Sequence, residues 1–132
     1  MVTICGKVYP LDIKELELPE EDLTEIPKEI FELKQLRVLC LEDNEIKEIP
    51  KEIGQLELLQ KLYLNNNEIE KIPREFLELR QLQKLDLKDN EIEEITKGLF
   101  KLKQLQELHL NHNKIKEIPK EEQIENKYLY PN

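Results

Sequence analysis

The sequence LRVLCLEDNEIKEIPKEIGQLEL, residues 36–58, is followed directly by LQKLYLNNNEIEKIPREFLELRQ, residues 59–81, and the two stretches share their apolar positions. The same frame continues through residues 82–104 and extends back to Ile13. A constant period of this length that recurs along most of a chain is typical of a stacked repeat array. The sequence therefore predicts a solenoid in which each unit buries its apolar side chains against its neighbours.

Each unit carries apolar residues at seven fixed positions, which lie 0, 3, 5, 10, 13, 17 and 20 residues after its start. Five units are predicted, and they start at Ile13, Leu36, Leu59, Leu82 and Leu105. The first four units fill all seven positions, whereas the fifth has Glu122 and Glu125 at the last two. The stack is therefore expected to end there. This divides the chain into an N-terminal cap (1–12), the repeats (13–119) and a C-terminal cap or tail (120–132).

Each unit is predicted to contain one strand and one short helical turn. The leucines at offsets 3 and 5 alternate, which is typical of a strand with both side chains on the core side. One strand per unit, always in the same direction, predicts a parallel sheet. The proline at offset 14, as in Pro50 and Pro73, is suited to the first position of a helical turn on the opposite side.

An asparagine follows the strand at offset 8 in four units. A buried amide at this turn can satisfy backbone groups of its own turn and, we expect, of the next coil. The sequence therefore predicts a structural ladder formed by Asn44, Asn67, Asn90 and Asn113.

These residues resemble the signature of the leucine-rich repeat family, L-x-x-L-x-L-x-x-N-x-I-x-x-I-P-x-x-I-x-x-L-x-x, over the segment from Ile13 to about Ile118. The resemblance is to the short 23-residue class found in bacterial leucine-rich repeat proteins. It implies an α/β repeat solenoid, a right-handed superhelix with a parallel concave sheet and short convex helical turns. Unit one departs from the pattern because it has Glu21 in place of Asn and Pro19 just after its strand, so we expect its turn to be irregular.

Both ends of such a stack need covering because each exposes apolar core. Residues 2–9 contain two short extended runs around Gly6, which predicts a β-hairpin over the first coil. Residues 120–127 form a polar helical pattern, and Tyr128 stands one full period after Leu105, where a vestigial sixth unit would begin. This C-terminal cap is thin, and exposed strand edges invite pairing, so a homodimer through the solenoid ends is a further expectation.

Composition excludes several classes of partner. The net charge of −9 and the pI near 4.9 argue against nucleic acid and against anionic membrane surfaces. No secretory signal is visible, so a cytoplasmic location is expected, although a mature exported chain would look the same. Cys5 and Cys40 have no repeating spacing and are expected to be free thiols. No cofactor is expected.

The strand positions that point away from the core form the candidate site, because scaffold positions repeat while these vary. A partner-binding role is predicted for thirteen concave-face residues, namely Glu15, Glu17, Val38, Cys40, Glu42, Lys61, Tyr63, Asn65, Lys84, Asp86, Lys88, Glu107 and His109. The first two units contribute only acidic charge to this face, so a protein partner with basic patches is expected. Tyr63, which is aromatic and central, is the predicted hot spot.

Metal binding and catalysis find less support. His109 and His112 with Asp86 could hold a transition metal, but strand residues three apart point to opposite faces, so no metal site is predicted. The chain contains no serine, and Cys40 lies three strands from His109, roughly 14 Å away, which is too far for a nucleophile and its base. A non-enzymatic protein-binding module is therefore predicted. The alternative is a self-assembling, structural or designed scaffold that associates through its ends.

Overall fold

The computed structural model describes residues 1–95, 98–99, 102–116 and 128–130. The chain begins with an antiparallel hairpin, in which β1 (Val2–Ile4) pairs with β2 (Lys7–Tyr9). A parallel sheet follows, with strands in sequence order: β3 (Glu15–Glu17), β4 (Val38–Cys40), β5 (Lys61–Tyr63), β6 (Lys84–Asp86), β7 (Glu107–His109) and β8 (Tyr128–Tyr130). The predicted fold class, a solenoid with one parallel strand per unit, is confirmed.

The register of the sheet follows the sequence period from β3 to β7. Each central leucine pairs with the equivalent leucine of the next unit, as Leu39 does with Leu62 and Leu62 with Leu85. These central leucines are buried, because consecutive coils stack directly on one another. The core is thus a column formed mainly of leucine and isoleucine side chains, which runs from the hairpin to Leu110 in the described residues.

Within residues 1–95, the convex side carries three 3₁₀ helices, Lys28–Glu32, Lys51–Gln55 and Arg74–Glu78. The predicted place of the proline is wrong by one residue, since Pro27, Pro50 and Pro73 precede the helices as N-cap residues. Their ψ angles of 128°, 155° and 147° keep them extended. Each proline carbonyl accepts the amide three residues later, which closes the first turn of the helix.

The asparagine ladder binds backbone groups in two coils. The Asn67 amide nitrogen donates to the carbonyls of Leu41 and Leu64 at 3.0 and 3.1 Å, and its oxygen accepts the Ile46 amide at 3.0 Å. The same arrangement repeats one coil apart at Asn44, Asn90 and Asn113. Each side chain therefore links its own turn to the preceding coil. The expectation that it reaches the next coil is wrong, because both ends of the amide group face the coil before it.

The N-terminal end is covered by the hairpin, whose Val2 and Ile4 side chains are buried in the core. The first turn is irregular, as expected, because Glu20 and Asp22 both have positive φ angles, 53° and 57°. The later turns have one such residue at the corresponding position, for example Asn66. Asn and Asp tolerate this conformation better than Glu does.

The C-terminal strand departs from the period. Tyr128 pairs with Glu107, whereas the residue one full period after Glu107 is Tyr130. Strand β8 therefore arrives two residues early, and the expectation that Tyr128 begins a sixth unit of regular length is corrected. The predicted helical stretch at 120–127 and the boundary at 119–120 lie outside the described residues, and the division into caps and repeats stays a prediction. None of the helices in the described ranges has the length and apolar character needed to cross a bilayer.

Candidate functional site

Two rows of side chains cross the concave face from strand to strand. The first row follows the strand starts, and the register pairs Glu15, Val38, Lys61, Lys84 and Glu107. The second row follows the strand ends, and the register pairs Glu17, Cys40, Tyr63, Asp86 and His109. Since neighbouring strands lie about 4.8 Å apart, each row forms one continuous line of side chains. Ten of the predicted site residues are thus brought into one surface.

The other three predicted residues lie just beyond the strands, in the turns. Their backbone carbonyls accept amides from the preceding coil: Glu42 from Glu20 at 3.3 Å, and Asn65 from Asp43 at 3.1 Å. Lys88 accepts the Asn66 amide at 3.0 Å in the same way. All three side chains are half-buried, so they border the two rows rather than extend them.

Two of the residues in the second row are less accessible than predicted. Cys40 and Asp86 are 8% and 7% exposed, although both lie on the concave face. They flank Tyr63 on the two neighbouring strands, and strand spacing brings an aromatic ring within reach of both sides. Asp86 also accepts the Lys88 backbone amide at 3.1 Å. Tyr63 is therefore more accessible than its two neighbours in the row, and the partner-binding role of all three stays a prediction.

Tyr63 and Lys84 act as a unit at the centre of the face. The Lys84 ammonium nitrogen lies 5.1 Å from the centroid of the Tyr63 ring, which is within cation–π range. The tyrosine is half-buried. A rigid aromatic side chain loses little entropy on binding, which favours it as an anchor.

The N-terminal part of the face carries clustered negative charge. Burial, followed by the neighbouring charges of Asp43 and Glu17, raises the pKa of Glu42. Burial also raises the pKa of the Cys40 thiol to about 11, with smaller contributions from Glu42, Glu17 and Glu15. These carboxylates thus lie close enough to repel one another. Cys40 is protonated at neutral pH and is a weak nucleophile.

Replacing Glu42 by glutamine should stabilise the protein at neutral pH. Folding raises the pKa of the Glu42 carboxyl, so the folded state is favoured while this carboxyl is protonated. The stabilisation is lost as the pH rises above the ordinary glutamate range, because the carboxyl then becomes charged. We expect the free energy of unfolding of Glu42→Gln to exceed that of the wild type by about 0.5 kcal/mol at pH 7, since the site is partly solvated. The difference should vanish near pH 4.

Urea unfolding at several pH values measures this difference. Glu48→Gln, at an exposed position on the same coil, is the matched control for the loss of one carboxylate. A Glu42→Gln variant less stable than the wild type at pH 7 would contradict the repulsive role of the Glu42 carboxylate.

The two histidines lie on β7 and in the turn that follows it. The His109 Nε2 atom lies 3.4 Å from the Glu107 carboxylate, while His112 follows the strand at a φ of 60°. Within 1–95, 98–99 and 102–116, no group of three or more His, Cys, Asp or Glu side chains is placed to hold a metal ion. Cys5 and Cys40 are free thiols.

Comparison with known proteins identifies similar sequences and folds. A family model described as "Leucine rich repeat" matches residues 12–69, 53–92 and 80–123. A leucine-rich repeat protein of Leptospira interrogans is 38% identical, with a TM-score of 0.80, over 89% of this chain and 30% of that chain. Internalin C2 of Listeria monocytogenes is 27% identical, with a TM-score of 0.82, over 97% of this chain and 54% of that chain.

A second Listeria monocytogenes internalin (inlF) is 24% identical over 80% of this chain, with a TM-score of 0.72, and supports the fold alone. The chain spans 30–54% of the length of these solved structures. No curated protein matches the chain.

Proposed function

This chain belongs to the leucine-rich repeat family, and on that premise we propose that it is a non-enzymatic module that binds a protein partner on its concave strand face. Domains of this family generally mediate protein–protein interaction. The partner proposed here places lysine or arginine side chains against the acidic first two coils. Its apolar surface packs on Tyr63 and the neighbouring Val38.

The observation that carries this proposal is the charge arrangement of the concave face. After burial, the charges of Glu42, Glu17 and Glu15 raise the pKa of the Cys40 thiol, so all three carboxylates act on the same part of the face. Clustered carboxylates near an aromatic residue favour a complementary basic surface, because charge complementarity speeds encounter and fixes register. Rim charges of this kind act over about one Debye length, so binding should weaken as salt rises.

A pull-down from a bacterial lysate tests the concave face. We expect proteins captured by the wild type to be captured at least tenfold less by the double variant Tyr63→Ala, Lys84→Glu, because an aromatic hot spot and its charged neighbour are both lost. The matched control is Lys51→Glu, which makes the same charge change on an exposed convex helix residue. Raising the salt to about 0.5 M should release the same proteins.

The outcome that would reject the proposal is equal loss of capture by the concave and convex variants. Capture that is insensitive to salt would reject the electrostatic part alone. Both conclusions require that the variants fold. The circular dichroism spectrum of each variant tests this.

Self-association through the ends is the second candidate, and one observation favours it. The exposed large apolar side chains of the described residues, Met1, Val8 and Leu11, all lie in the N-terminal segment. Sedimentation at micromolar concentration distinguishes the candidates, because a monomer counts against assembly. A cytoplasmic location stays a prediction.

A further inference from the structure

The outer edge of β3 has backbone groups available for another strand. On its inner side, the Val38 amide donates to the Lys14 carbonyl at 3.0 Å, and the Leu18 amide donates to the Cys40 carbonyl at 2.8 Å. Hydrogen bonding in a parallel pair alternates, so the amides and carbonyls of Glu15 and Glu17 point away from β4. Within residues 1–22, no backbone hydrogen bond joins the hairpin to β3.

The charge and burial of the side chains along β3 determine which kind of strand can pair with this edge. The side chains of Glu15 and Glu17 are exposed on the concave side of the strand. The side chain between them, Leu16, is only 2% exposed, so the core side of the edge is already covered. Short, charged edge strands resist pairing with copies of themselves, because like charges then face each other. A second copy of this chain is therefore disfavoured at the β3 edge, and a basic strand is favoured.

We propose that the β3 edge accepts an extended segment of a partner protein by parallel strand addition, with the local sequence basic–small–basic. The two basic side chains would lie beside Glu15 and Glu17, as cross-strand neighbours on the concave face. The middle residue would lie opposite Leu16 on the covered core side, which favours a small side chain. This surface is separate from the Tyr63 anchor, which is two strands away.

The register assigns the hydrogen bonds of the added segment. By the rule seen between β3 and β4, the middle residue donates its amide to the Glu15 carbonyl and accepts the Glu17 amide. The amides of the two basic residues point away from β3. Strand addition of this kind obtains its affinity from main-chain bonds and its specificity from alternate side chains.

A fluorescein-labelled peptide, Thr-Arg-Ala-Arg-Thr, is the probe, titrated by fluorescence polarisation against the full chain. The matched pair of peptides carries one N-methyl group, either on the alanine amide or on the amide of the following arginine. We expect the first methylation to weaken binding about tenfold and the second to change it less than twofold, since of these two amides the alanine amide faces β3 and the arginine amide points away. In NMR spectra, the Glu15 and Glu17 backbone amides should shift on binding.

Further variants test the contribution of charge to peptide binding and the location of the peptide site. Replacing both arginines of the peptide by glutamate, or both Glu15 and Glu17 of the chain by glutamine, should weaken binding at low salt. The variant Tyr63→Ala should bind the peptide as the wild type does, so failure of this site and failure of the concave-face proposal are distinguishable. Equal affinity of the two methylated peptides, unshifted Glu15 and Glu17 amides, or no binding at about 1 mM peptide would overturn the proposal.

Discussion

The substitution Asn67→Ala should lower the free energy of unfolding by about 3–5 kcal/mol, although it removes only one small polar side chain. Asn67 is buried, and its side chain bonds four backbone groups in two coils, the last of them at 3.4 Å. Each buried backbone group that loses its partner costs about 1–3 kcal/mol. The loss is a large part of the roughly 5–15 kcal/mol that stabilises a typical domain. Urea unfolding followed by circular dichroism measures it.

The neighbouring asparagine is the matched control. Asn65 lies two residues earlier and is half-buried, and its contribution to the turn comes from its backbone carbonyl, which accepts the Asp43 amide at 3.1 Å. Asn65→Ala should therefore change the stability by less than about 0.5 kcal/mol. Asn67→Asp, which places a carboxylate against the Leu41 and Leu64 carbonyls, should be at least as damaging as alanine at pH 7. A loss below about 1 kcal/mol for Asn67→Ala would contradict the structural role of the ladder.

The substitution Phe76→Ala should cost about 3–5 kcal/mol, the usual range for removing a fully buried aromatic side chain. Phe76 is 0% exposed and is the largest side chain in the innermost core. It occupies offset 17, the position that holds Ile30 and Ile53 in the first two units. Phe76→Ile should therefore cost no more than about 1.5 kcal/mol, because the repeat already packs isoleucine in equivalent surroundings.

The comparison of the two substitutions at residue 76 tests the equivalence of the coils. Thermal or urea unfolding of both variants beside the wild type measures it. If isoleucine proved as destabilising as alanine, the third coil would need a side chain of its own shape, and the units would not be interchangeable.

The two proposed binding surfaces use different parts of the same sheet. The concave face uses side chains of several strands, whereas the β3 edge adds the outward backbone groups of one strand, and the side chains of Glu15 and Glu17 belong to both surfaces. Both lie near the acidic N-terminal coils, so a single basic partner could occupy both. The two surfaces would then add their affinities through effective concentration without any further contact.

Most of the fold follows from the residue spacing. The strands of the five units span offsets 2 to 4, so each contains the leucine predicted at offset 3, whereas the leucine at offset 5 directly follows the strand. The same reasoning missed smaller features. The proline is outside the 3₁₀ helix, and the asparagine amide bonds to the coil before its own. Both depend on backbone angles at the turns, which apolar spacing does not constrain.

The sequence predicts which residues of the candidate site lie on the concave side of the sheet, but it does not predict how exposed each of them is. Alternation of side chains along a strand is enough to place Cys40, Tyr63 and Asp86 on the concave side. Their exposure depends on what lies beside them, and the register puts the tyrosine between the other two. The pairing of Lys84 with the Tyr63 ring was likewise absent from the sequence pattern, since the two residues belong to different units.

The sequence by itself determined the repeat, the parallel sheet and the buried column of leucines, because each unit must hide the same apolar positions against the next one. Only the tertiary structure decided how neighbouring coils touch. At Gly54, an added Cβ would lie 3.2 Å from the Glu75 carbonyl oxygen of the next coil, and β8 arrives two residues early. Both features arise from contacts between units, which depend on side-chain volume and turn geometry together. The residue pattern within one unit does not specify these contacts.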